Sequence, residues 1–71
     1  MEADFAQRTV LGLLLEAHPS MLSVEDVRRQ LRDVPEVDHA IKTLVGDGVL
    51  NRLGELLGVS RATIRTEQLT L

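Results

Sequence analysis

The chain has 71 residues, 44% of them hydrophobic, with Phe5 as its single aromatic side chain, no cysteine and a formal net charge of −3. That length suits one small domain near the lower limit for a self-sufficient core, so a partner subunit would add stability. The absence of cysteine excludes disulfide frameworks and thiolate metal sites, and the net charge argues against broad electrostatic capture of nucleic acid.

Thirteen leucines beside one aromatic ring favour packed helices over a sheet sandwich. Charge is unevenly spread: residues 1–41 carry eight acidic side chains against four arginines, while residues 42–71 carry three against Lys42, Arg52, Arg61 and Arg65. Any anion-binding face must therefore be local. The apolar run from Val10 to Leu15 is too short to span a bilayer, and the acidic start at Glu2 and Asp4 does not suit a signal peptide. No membrane partner and a cytoplasmic location are expected.

From Asp4 to Ala17, the residues Ala6, Val10, Leu13, Leu14 and Ala17 recur at helical spacing and predict a first helix over about 4–17, ended by His18-Pro19. Leu11 and Leu15 form a second apolar face one turn apart, which fits either a central helix in a small core or a dimer seam. Ser23 is placed to cap a second helix over about 23–31, with Asp26 three residues on and Val24, Val27 and Leu31 inward. Arg28, Arg29 and Arg32 then read as a solvated surface.

Pro35 suits the first position of a third helix over about 35–46 and Glu36 its positive end. Val37, Ala40, Ile41, Leu44 and Val45 make the cleanest amphipathic stripe in the chain, with Glu36, Asp38, His39, Lys42 and Thr43 outward. Asp47-Gly48 closes that helix. Residues 49–59 hold two short apolar runs around Gly54-Glu55, a hairpin pattern in which Leu and Glu would by propensity be helical. Ser60 caps a last helix over about 61–68, with Ala62, Ile64 and Leu69 as apolar contacts. No linker or repeat divides the chain, so residues 1–71 are read as a single domain.

In this order, "SVEDVRRQL", "VPEVDHAIKTLVGDG" and "VLNRLGELLGV" resemble the second helix, recognition helix and wing of the winged helix-turn-helix family over about residues 4–59. The resemblance implies a mainly α fold with a small β-hairpin: a three-helix core, a two-stranded wing and an added C-terminal helix. It also implies a DNA-binding transcriptional regulator, with the third helix in the major groove of double-stranded DNA. His39, Lys42 and Thr43 would face bases, Asp38 would accept from cytosine, and Arg52 and Ser23 would contact phosphates. Glu36, Asp38 and Glu55 bring negative charge to the same face, so a monomer would bind weakly.

Two alternatives remain open at this level. Leu53–Leu57 and Ser60–Gln68 could instead be the two helices of a homeobox-like or repressor-like unit, which would leave the stripe of the third helix without a role. The winged fold could also serve as a protein-interaction or dimerisation module without DNA binding, carried by Leu11, Leu15, Leu69 and Leu71. A homodimer suits both functions because it would enlarge the core and pair two recognition helices. His18 and His39 lie on different elements, and neither a phosphate loop nor a nucleophile motif is present. An enzyme is not expected, nor is a metal or cofactor.

Overall fold

Helix α1 (Glu2–Ala17) buries Ala6, Val10 and Leu14 along the predicted stripe, with Leu11 and Leu13 partly buried against the same core. The computed structural model describes the backbone of residues 2–69 and the side chains of residues 4–66. The helix ends where His18 N–H donates to the Leu14 carbonyl at 3.0 Å and Pro19, which has no N–H, follows.

Strand β1 (Leu22–Ser23) leads directly into helix α2 (Val24–Gln30). Ser23 is extended, and its Oγ accepts the Asp26 N–H at 3.0 Å, satisfying one of the unpaired donors of the first turn. Val24 and Val27 are buried, so α2 contributes little more than one turn of apolar contact to the core.

Helix α3 (Val37–Gly46) begins two residues later than the sequence suggests. Glu36 has φ 61 and ψ 29, the left-handed region, and makes no side-chain cap hydrogen bond. Pro35 therefore belongs to the turn between α2 and α3 and is not the first helical residue. The left-handed step lets a short connection redirect the chain so that Val37, Ala40, Ile41 and Leu44 face α1 and the sheet.

At the other end of α3, Gly48 N–H donates to Val45 O at 3.1 Å and Val49 N–H to Leu44 O at 2.9 Å, with Gly48 at φ 79. This is a Schellman closure, in which the left-handed residue lets two orphan carbonyls be satisfied by the exiting chain. The exit is aimed into strand β2 (Leu50–Leu53), which pairs antiparallel with strand β3 (Leu56–Val59) across the Gly54-Glu55 turn. Gly54 has φ 61, the conformation required at the first centre of a type II′ hairpin turn.

The sheet has three strands in the order β1-β3-β2, where two were expected. β1 pairs with β3 through Leu22↔Leu57 and Ser23↔Leu56. β3 is thus central, and its Leu57 is fully buried beside Leu50 of β2. Leu56 is in a strand, which rules out a helix over Leu53–Leu57.

Helix α4 (Arg61–Leu69) starts as expected after Ser60, whose Oγ accepts Thr63 N–H at 3.3 Å. Ala62 is exposed and Ile64 half-buried, and the Leu69 side chain lies outside the described residues. Among the described residues the architecture is therefore four helices and a three-stranded antiparallel sheet, with one core between α1, α2, α3 and the inner face of the sheet.

Two of the three positive-φ positions, Gly48 and Glu36, have opposite expected responses to substitution. Gly48→Ala should lower unfolding stability by about 1 kcal/mol, since a Cβ there meets no atom within 4 Å and the cost is conformational. Glu36→Gly should raise it by about 0.5–1 kcal/mol, the relieved strain exceeding the added chain entropy. Urea denaturation of both variants reads the two signs.

Candidate nucleic-acid interface

With its apolar side on the core, α3 turns Asp38, His39 and Lys42 to solvent, while Thr43 is half-buried. The start of α2 is held to the hairpin by Val24 N–H, which donates to the Glu55 carbonyl at 2.8 Å. This bond brings the hairpin alongside α2 and α3. Between them lies an open groove of about 390 Å³, with Val24 and Ile41 at its floor and Arg28, Asp38, His39, Lys42 and Arg52 around it.

Charges in the groove are closely matched. Arg28 Nε donates to Asp38 Oδ1 at 2.6 Å, joining α2 to α3. The Arg28 pKa is raised above its ordinary value by this hydrogen bond and by the Asp38 charge; partial desolvation opposes the rise, and the charges of Glu55 and Glu25 add to it. Arg52 Nε donates to the Gly54 carbonyl at 2.9 Å, and its other end lies 3.8 Å from Glu55 Oε1. Lys42 makes no ion pair among the described residues.

The structure thus gathers four of the expected residues, Asp38, His39, Lys42 and Arg52, around one groove. Ser23 and Thr43 do not line it. The Ser23 oxygen serves the α2 cap, which leaves its hydroxyl proton available to donate. Arg28 was not singled out by the sequence, where it is indistinguishable from Arg29 and Arg32. Its role depends on a partner ten residues away in a different helix, a separation with no periodic signature.

Leu11 and Leu15 are both half-buried on α1, and Leu11 also borders a cleft against Val49 and Thr63 of α4. The Leu69 side chain and Leu71, the other two residues expected at a dimer interface, lie outside the described residues. Among the described residues no group of His, Cys, Asp or Glu could hold a metal ion, and no helix is long and apolar enough to cross a membrane. Comparison of the chain with protein-family models, with curated proteins and with solved structures gives no match.

Both members of the Arg28–Asp38 pair are more than half exposed, at 57% and 69% of the side chain. Exposed pairs contribute little net stability because water screens them and two long side chains must be ordered. Arg28→Gln is therefore expected to leave the thermal midpoint nearly unchanged in a melt followed by circular dichroism. A large drop would show that the pair, and not the apolar core, holds α2 against α3.

Proposed function

We propose that this chain is a winged helix-turn-helix domain that acts as a DNA-binding transcriptional regulator, with α3 as recognition helix and the β2–β3 hairpin as wing. The observation that carries the reading is the groove itself, which the polar side of a three-turn helix lines together with Arg28 of α2 and Arg52 of the hairpin. The element order, helix, short strand, helix, helix and hairpin, supports it. An α-helix fits the major groove of B-form DNA, so α3 would carry Lys42 and His39 to base edges while Arg52 reaches a phosphate.

Lys42 would donate to guanine acceptors, and Asp38 would accept from cytosine once Arg28 turns to a phosphate. Ser23 would donate its hydroxyl proton to a second phosphate. The matched charges set the character of the binding. Arg28, Lys42 and Arg52 face Asp38, Glu25 and Glu55, so the surface has no large net field to capture duplexes of any sequence. Affinity would instead come from a few directed contacts, strengthened by a homodimer that pairs two copies of α3.

Salt dependence tests the contact count. If Arg28 and Arg52 each neutralise one phosphate, the logarithm of the binding constant falls with the logarithm of salt at a slope of about −2 per protomer. Lys42→Ala combined with Arg52→Ala should abolish binding to mixed duplex DNA at low salt. A wild-type chain that shows no salt-sensitive shift with any duplex, even at high protein concentration, would sink the regulator reading.

The homodimer rests on Leu11 and Leu15, which stay half-buried on α1 and leave apolar surface for a second copy. Sedimentation at micromolar concentration should give a species of twice the 7.9 kDa chain mass. A stable monomer there would remove the dimer while leaving DNA contact by a single domain open to the salt titration.

A further inference from the structure

Of the four Lys and Arg side chains without an ion pair among the described residues, Lys42 borders the α3 groove and Arg32 borders neither it nor α4, whereas Arg61 and Arg65 lie together on α4. Arg8, Arg28, Arg29 and Arg52 each lie within 4.0 Å of a carboxylate, at 2.8, 2.6, 3.4 and 3.8 Å. Arg61 and Arg65 have no such partner among the described residues. They are one helical turn apart, so they project from the same face of α4.

That face borders a second groove, of about 410 Å³, lined by His18, Val59, Arg61, Ile64 and Arg65. It shares no residue with the groove beside α3. Val59 and Ile64 are half-buried and form an apolar floor, while the two guanidinium groups and the His18 imidazole form a polar rim. Among the described residues no carboxylate lines it.

We propose that this groove between the end of α1 and helix α4 binds a small organic anion, a carboxylate borne on an aromatic body. Guanidinium groups present paired N–H donors whose fork matches the two oxygens of a carboxylate. The His18 ring N–H can supply a further donor from the end of α1. An apolar floor with a few convergent polar groups is the general form of a small-ligand site, and the volume lies within the range such sites occupy. A bare inorganic anion would satisfy the rim but leave Val59 and Ile64 facing water. A neutral aromatic would cover the floor but leave both arginines without a partner. An aromatic carboxylate satisfies both. The site does not depend on duplex binding.

The test is an NMR titration of the 71-residue chain with 1-naphthoate, its neutral analogue 1-naphthamide, and inorganic phosphate. Naphthoate should shift the amides of Val59, Arg61, Ile64 and Arg65 and bind about tenfold or more tightly than either of the others. Arg61→Gln with Arg65→Gln, both at exposed positions, should weaken naphthoate by a similar factor. The proposal is overturned if naphthoate causes no shift at millimolar concentration or if its shifts map to the α3 groove. It also fails if naphthamide or phosphate binds as tightly, a comparison made on the wild-type chain alone, or if the arginine substitutions leave naphthoate affinity unchanged.

Discussion

The main chain of Val49 joins three elements whose placement determines the rest of the molecule. Its N–H closes α3 on the Leu44 carbonyl, and its own carbonyl accepts both the Ser60 N–H and the Thr63 hydroxyl, each at 3.0 Å. The helix exit, the open end of the hairpin and the start of α4 are therefore tied to one residue. Gly48 makes this possible, because only a left-handed residue turns the chain sharply enough to present Val49 to both sides. Downstream of that point, Leu50 enters the core directly and sets the pairing Leu50↔Val59.

The hairpin register then determines what surrounds the α3 groove. Cross-strand partners share a face of the sheet, so pairing Arg52 with Leu57 puts Arg52 on the side of the sheet that meets α3. A one-residue slip would set Arg52 opposite Leu56 or Gly58, so that with Leu57 kept in the core Arg52 would lie on the other face. Burial of Leu57 is thus the energetic reason Arg52 borders the groove. The Val24–Glu55 bond adds a second tie, holding the hairpin turn against the start of α2. Ion pairs contribute little to this arrangement because they lie on an exposed surface; they govern instead which charges remain for a ligand.

Those remaining charges divide the molecule into two surfaces of different character. Around α3 the cations are interleaved with Asp38, Glu25 and Glu55, which suits contacts selected by geometry more than by net field. On α4, Arg61 and Arg65 border a groove with no acid among its described lining residues. The formal charge of −3 describes neither surface, since it averages over the whole chain.

Local signals in the sequence determined the helices and most of their ends, the start of α3 excepted. The stripes of α1 and α3, the Ser23 and Ser60 caps, and the Asp47-Gly48 stop each depend on residues within one or two turns of one another, so spacing alone makes them legible. Four of the residues around the α3 groove were legible for the same reason, as the solvent side of a periodic helix and one charge in the hairpin. The stretch from Leu53 to Arg65 was ambiguous, because its leucines favour helix while Gly54 favours a turn. Tertiary structure decided it: Leu57 is paired on both sides, with Leu22 and with Arg52, and each pairing satisfies backbone groups that a short, glycine-flanked helix would leave open. The same dependence on distant partners explains the features the sequence did not reveal. β1 is only two residues long and exists because β3 is beside it; Glu36 accepts a left-handed conformation because the core fixes where α3 must begin; Arg28 meets Asp38 only once the helices pack. Short-range chemistry is encoded in spacing, whereas these contacts arise from the closure of the chain around a single buried core.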